Sequence, residues 1–532
     1  MRLMFFRAVR FFVLFYIGAV IYRIGALFLG WSERLSSPEA LPIVLVILAL
    51  VVLFTLVPNR TTPASRWLLG LWVLVFSLSV PFLILKYALG VNDVESLLVF
   101  FEGNTVSAAV EFGAADFGLL AFKVIAFGIS FLLATAFVHL RVQYFWVVLV
   151  GLSGAFMALH PVSEYFRRVN FPNAQSVEIY EARSDYKVEI VGRPTNKKNL
   201  VILYLESLER GYVTIPELQT FTKPLQQLVR ESVDFSDVAQ VHGTHFSAAG
   251  VVATQCGVPL LPGATFNVFE ARVDNKNGVY NQVTCLGDVL KEDGYNSSFF
   301  ISSDLDGFSY RTFLSGHSWD ELFGDDNVTD EERQEYGNKL WGVADELVFK
   351  KAHEKLTALA EQDVPFLLAV ETVATHGPDG FIYKNCNDFA DHTSSLPAAL
   401  SCTSKHVLDL VNHVDDLGLS NDTVIAVMSD HLAFKNVFTD TLEKNGPRRN
   451  LFFLLNAGDK TVINKSSVAY DIYPTLLEAL GYKLTNSRGN MGVSMLSDKP
   501  SMASQYGVEK LSSGIEGNRE LANWLWRNAD AP

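Results

Sequence analysis

Val201-Ile202-Leu203-Tyr204-Leu205-Glu206-Ser207 is an apolar run of strand length that stops on a carboxylate. An uninterrupted apolar run of this length reads as a strand buried on both faces, as in a parallel sheet. In open α/β sheets, ligands bind just beyond the carboxyl ends of the strands, which makes Glu206 a candidate site residue. Three further runs read the same way. Residues 364–373 lead to His376, 423–428 lead to Asp430-His431, and 297–301 lead to Asp304. Four such runs point to one site on one sheet edge. Glu, Asp and His together make a donor set for a hard or borderline metal.

Between these runs the pattern is helical, from Asn199 to about Met495. That alternation predicts an α/β domain with a largely parallel sheet. The chain around it is longer than one ordinary domain, with 532 residues of which 49% are hydrophobic. Charge is unevenly spread. The first 165 residues hold 10 basic and 8 acidic residues, leaving 33 and 49 in the rest, a net charge of −16 there. An acidic globular part argues against nucleic acid, which selects a basic patch.

The charge-poor third holds five segments of spanning length, near 11–31, 40–58, 67–88, 117–139 and 143–161. Arg2, Arg7 and Arg10 precede the first segment, Arg60 and Arg66 follow the second, and Arg141 lies between the fourth and fifth. The loop at 89–116 carries Asp93, Glu95, Glu102, Glu111 and Asp116 without Lys or Arg. The positive-inside rule then sets the N-terminus in the cytoplasm, and five crossings put everything after about 162 outside. The expected organisation is a transmembrane domain at 1–161, a juxtamembrane linker at 162–198, the catalytic domain at 199–500 and a tail at 501–532 with one helix near 516–526. All four cysteines, Cys256, Cys285, Cys386 and Cys402, fall in the exported part, where an even count predicts disulfides. Three connectivities exist, and spacing favours Cys256–Cys285 with Cys386–Cys402. A four-cysteine zinc site would need CxxC spacing, which is missing.

In Gly243-Thr244-His245-Phe246-Ser247-Ala248-Ala249-Gly250, Gly243 permits a tight turn and the small residues begin a helix running to about Gln255. A hydroxyl at that junction, Thr244 in this reading, sits where free helix N–H groups favour an anion. The same position suits either an N-cap or a nucleophile. Glu206, Asp430 and His431, with Thr244 as a fourth ligand, fit one divalent ion, Mn²⁺ first and Zn²⁺ or Mg²⁺ next.

Asn199 to Ser207, Gly243-Thr244, Thr375-His376-Gly377-Pro378 and Met428-Ser429-Asp430-His431 resemble the alkaline phosphatase and sulfatase superfamily. Asp471-Ile472-Tyr473-Pro474-Thr475 and Arg488-Gly489-Asn490-Met491-Gly492 resemble the late helix and the following loop of sulfatases. Five spans before such a domain resemble the lipoteichoic acid synthase and phosphoglycerol transferase branch. Leu205-Glu206-Ser207-Leu208-Glu209-Arg210, Thr254-Gln255-Cys256-Gly257-Val258-Pro259, Cys285-Leu286-Gly287-Asp288 and His376-Gly377-Pro378-Asp379-Gly380-Phe381 are most similar to its glucan-modifying phosphoglycerol transferases.

The resemblance implies a membrane enzyme with its catalytic domain in the periplasm. Glu206, Thr244, Asp430 and His431 would hold the metal. Thr244 would attack phosphatidylglycerol, release diacylglycerol and pass the phosphoglycerol group to a glucan hydroxyl. His376 would contact the phosphoryl oxygens or shuttle a proton. Arg311, Asp304 and His317 are candidate substrate contacts, near where lipoteichoic acid synthases carry a Trp-x-Arg pair. Here that region reads Tyr310-Arg311 with Trp319 further on. The runner-up activities are glycerol phosphate polymer synthesis and phosphoethanolamine transfer. A sulfatase is disfavoured because the Cys/Ser-x-Pro-x-Arg context of formylglycine is missing. A metal-free scaffold is disfavoured because Glu206, Thr244, Asp430 and His431 are all present.

Overall fold

The computed structural model of the chain describes residues 178–180, 186–261, 279–306, 309–336, 338–339, 342–382, 395–516 and 518–526. The chain divides into two units, Met1–Glu164 and Tyr165–Pro532. All five expected membrane spans lie outside the described residues, and among the described helices none is long and apolar enough to cross a membrane.

The apolar runs form a sheet of eight strands: β1 (Asn199–Leu205), β2 (Val233–Phe235), β3 (Asn296–Ile301), β4 (Glu321–Phe323), β5 (Phe366–Glu371), β6 (Thr423–Ser429), β7 (Phe452–Leu455) and β8 (Thr461–Ile463). Their order is β8-β2-β7-β6-β1-β5-β3-β4. β7 runs antiparallel to both neighbours, and every other neighbouring pair is parallel. The expected α/β architecture is therefore present. β1 lies between β6 and β5, with Leu205 beside Ser429 and Tyr204 beside Glu371. The carboxyl ends of these three strands are level, so the residues that follow them share one edge.

The helices that matter for the site are α1 (Lys223–Arg230), α2 (Ser247–Cys256), α3 (Tyr310–Gly316), α4 (Asp345–Ala360), α5 (Leu396–Asp416) and α6 (Ile472–Ala479). Val201, Leu203 and Leu205 face a core shared with α1, α4 and α5 through residues such as Leu225, Leu356 and Val407. Burying one such side chain contributes about 1.5–3 kcal/mol. The alternate residues of β1 face α2. The Tyr204 hydroxyl lies 3.0 Å from Thr254 Oγ1 and accepts a hydrogen bond from Gln255 Nε2 at 2.8 Å. This parity turns Glu206, two residues on, toward α2 as well.

Cys256 at the end of α2 is disulfide-bonded to Cys285. Cys402 is also disulfide-bonded, while Cys386 lies outside the described residues. The tail holds three helices, α7 (Met502–Tyr506), α8 (Val508–Ile515) and α9 (Arg519–Leu525), where one had been expected. Ser512 of α8 accepts the His242 N–H at 2.9 Å, and Trp526 Nε1 donates to the Leu261 carbonyl at 2.7 Å. The tail thus packs against the segments on both sides of α2.

Candidate active site

Glu206 leaves the end of β1 and Asp430-His431 leave the end of β6. Between Glu206 and the next turn sits Ser207, a non-glycine residue at φ +54°. Such a conformation is uncommon and costs about 1–3 kcal/mol. It aims the Ser207 N–H at Asp430 Oδ1, 2.8 Å away. The same oxygen accepts the His431 N–H at 2.7 Å. Asp430 Oδ2 is buried and has no hydrogen-bond partner. His431 Nε2 stands 3.3 Å from that oxygen and 3.4 Å from Glu206 Oε1. The donor atoms of Glu206, Asp430 and His431 all lie within 4.8 Å of one another, in a buried setting. Two carboxylates and an imidazole converging on one unsatisfied oxygen fit a divalent ion.

Two other clusters of this composition contain Cys256 with Cys285, and Cys402. Their sulfurs are in disulfides, which removes the thiolate a metal needs.

The electrostatics reflect crowding. Burial, reinforced by Glu206, raises the Asp430 pKa to about 7. Burial works against charge on His431, but Asp430 and Glu206 outweigh it and hold its pKa above the usual value. Burial pushes His376 down to about 4, with His431 adding to the effect. His376 Nδ1 lies 2.8 Å from the Gly377 carbonyl, which leaves Nε2 as the acceptor nitrogen of a neutral ring. Phe434 packs on both imidazoles, with centroid distances of 4.9 Å to His431 and 6.2 Å to His376.

The hydroxyl on this cluster belongs to Ser247. The helix begins at Ser247, after Phe246 in extended conformation, so that Thr244 is neither its cap nor its first residue. Gly243 at φ +74° and Thr244 belong to the turn before it. Thr244 Oγ1 donates to the Val241 carbonyl at 2.8 Å and accepts the Val241 N–H at 3.2 Å. Its hydroxyl is engaged in closing that turn. Ser247, the first residue of α2, donates through Oγ to Glu206 Oε2 at 3.0 Å and lies 3.5 Å from His431 Nε2. Gly250, one turn on, lets α2 approach closely, since a Cβ there would lie 2.0 Å from the Asp430 carbonyl oxygen. The signal for Ser247 was a hydroxyl placed directly before a run of small residues, Ala248-Ala249-Gly250. It was masked by the equally plausible start at Thr244.

A second residue went unnoticed. Glu371 ends β5 as Glu206 follows β1. It is buried, accepts the Tyr310 hydroxyl at Oε1 at 2.6 Å, and has no hydrogen-bond partner at Oε2. Burial, then Asp430, raises its pKa well above the usual carboxylate value.

The three expected substrate contacts are engaged with partners of their own. Arg311 is paired with Asp306 at 2.9 Å and with Asp326. Asp304 accepts the Asp306 N–H at 2.8 Å. His317 is buried between Asp288 and the Val279 carbonyl, 2.8 Å from each, and so pins the segment before helix Leu286–Glu292.

Residues 198–482, more than half of the chain, match the sulfatase family. The chain belongs to the sulfatase family. With it comes the alkaline phosphatase superfamily fold. Phosphoglycerol transferase I of Salmonella paratyphi B is 35% identical over 304 residues, covering 56% of this chain and 39% of that one. Phosphoglycerol transferase I of Escherichia coli is 36% identical over 296 residues, covering 54% and 38%. The chain thus spans about two fifths of the length of the curated relatives it matches. Among solved structures, a lipoteichoic acid synthase of Listeria monocytogenes superposes with a TM-score of 0.50 at 16% identity, over 66% of this chain and 97% of that one. That likeness concerns the fold.

Proposed function

We propose that this protein transfers the phosphoglycerol group of phosphatidylglycerol to a hydroxyl of a periplasmic glucan, with Ser247 as nucleophile. The observation that carries the reading is the Ser247 hydroxyl at a helix N-terminus, bonded to Glu206 and adjacent to His431. Glu206, Asp430 and His431 are the residues that hold a divalent ion. When bound, that ion supplies positive charge to the attacking oxygen and to the phosphoryl oxygens.

The rest is done by side chains. In the first step Ser247 Oγ forms a bond to phosphorus and the bond to the diacylglycerol oxygen breaks. The serine proton, directed at Glu206 Oε2, ends on diacylglycerol. The N–H groups opening α2 face the phosphoryl group and favour its negative charge. In the second step a sugar hydroxyl oxygen forms a bond to phosphorus as the bond to Ser247 Oγ breaks, and the proton taken up at His376 Nε2 is returned to Ser247 Oγ. A neutral His376 suits that acceptor role. Domain boundaries at 161 and 198, five spans and a periplasmic catalytic domain complete the proposal, since a lipid donor requires the site to stay near the bilayer.

The test is a mass spectrum of the tryptic peptide carrying both Thr244 and Ser247, after incubation of the purified full chain with phosphatidylglycerol and Mn²⁺ without acceptor. A glycerophosphoryl adduct fragmenting to Ser247 is the expected result. An adduct on Thr244 returns the nucleophile to that residue. An adduct formed only from phosphatidylethanolamine replaces the donor, and no adduct in metal-loaded protein overturns the two-step mechanism.

A further inference from the structure

The motif Leu205-Glu206-Ser207-Leu208-Glu209-Arg210 holds a second acid that the chemistry above does not use. Glu209 is completely buried. Its Oε2 accepts the Ala433 N–H at 3.1 Å. Arg448 Nε lies 3.0 Å from both of its carboxylate oxygens. Arg448 Nη2 donates both to Glu209 Oε2 and to the Ala433 carbonyl. One ion pair therefore grips a single residue, Ala433, by its N–H and its C=O.

The place of that grip matters. Glu209 lies three residues beyond Glu206, and Ala433 two residues beyond His431. The pair fastens the turn after β1 to the loop after β6, the two backbone segments that present the acid and the imidazole to each other. The same loop is tied at Leu432, whose N–H donates to Gln240 Oε1 at 2.8 Å, and at Asn436, whose Nδ2 donates to the Tyr212 hydroxyl at 2.9 Å. Groups that orient ligands from outside tune metal affinity without touching the ion.

We propose that Glu209 and Arg448 form a positioning pair that sets the spacing between Glu206 and His431, so that breaking it weakens divalent-ion binding. The inference rests on Glu206, Asp430 and His431 being metal ligands. A purely structural role makes a different prediction. Removing one partner leaves an uncompensated buried charge and destabilises the fold, whereas replacing both with apolar residues does not. The Glu209→Met/Arg448→Met double variant thus separates fold from positioning.

The experiment is calorimetric titration of Mn²⁺ into the detergent-purified full chain, with the thermal midpoint of each metal-free variant alongside. Glu209→Gln and Arg448→Lys are expected to raise the Mn²⁺ dissociation constant about 10–100-fold. The double variant, which leaves no unpaired buried charge, is expected to have a higher thermal midpoint than Glu209→Gln or Arg448→Lys while still binding weakly. Parent affinity in the folded double variant, or in Arg448→Lys should the double variant not fold, overturns the proposal. A parent chain that binds no Mn²⁺ overturns the metal reading itself. Binding by the parent that Asp430→Ala abolishes keeps that reading while the variants at 209 and 448 decide this one.

Discussion

Two stretches of the same sheet edge look alike in sequence and differ in the fold. The ends of β1 and β6 present Glu206, Asp430 and His431, and their polar atoms cluster around a buried oxygen that accepts no hydrogen bond. The segment after β3 presents Asp304, Arg311 and His317, and there the polar atoms are matched to one another or to nearby carbonyls and acids. The first stretch carries unsatisfied valence and the second carries internal structure. Residue type announces that a side chain is able to bind something. Only its partners tell whether that capacity is still available.

The contrast is broken most severely at Ser247. Ser247→Ala is expected to lower turnover at least about a thousandfold, as loss of a nucleophile does, and to abolish the adduct. Thr244→Val should keep the adduct and lower only the thermal midpoint. Equal loss in both variants would mean that the turn and the helix start act as one unit. Next in size is Asp430→Asn, which removes the charge behind the oxygen that accepts no hydrogen bond. It should weaken Mn²⁺ binding by more than about 100-fold in calorimetry, beyond what outer partners cost.

Acidity gives a smaller effect with a definite sign. Asp430 holds its proton up to about pH 7 because burial disfavours its charge. Below that value a metal must displace the proton, and above it the carboxylate is already available. Mn²⁺ affinity should therefore rise at least about tenfold between pH 6 and pH 8 in the same titration, because His431, whose pKa is also raised, must lose its proton too, and a flat profile would show that neither is a ligand. The smallest changes belong to the second stretch. His317→Ala should cost about 1–3 kcal/mol of stability in denaturant unfolding. Its Mn²⁺ affinity should stay at the parent level. Arg311→Ala should leave Mn²⁺ affinity within about threefold, beyond the reach of any outer-ligand effect, and a larger loss would bring the two stretches together.

The sheet was legible because its central strands are buried on both faces and so appear as uninterrupted apolar runs. β1, β3, β5 and β6 begin and end close to where those runs do. The acids and the imidazole of the site were legible for the same reason, since a run that stops on a charged residue marks a strand end. The hydroxyl was not. Thr244 and Ser247 lie three residues apart, both are hydroxyl residues suited to a helix start, and composition does not choose between them. What decided between them was Thr244 closing a turn onto Val241, a contact with no trace in composition. Glu371 was not legible because the largely apolar run continues past it through Val373 and Ala374, so the carboxylate does not mark where the run ends. His317 drew interest as a histidine beside acids, although its partner Asp288 lies 29 positions earlier in the chain.

The close approach of α2 to the Asp430 carbonyl at Gly250 limits how this catalytic centre can diversify. Any side chain at 250 would push α2, and Ser247 with it, away from the end of β6. Position 250 is thus closed to every residue but glycine for as long as α2 and the end of β6 stay in contact, since even a methyl group there would overlap the Asp430 carbonyl.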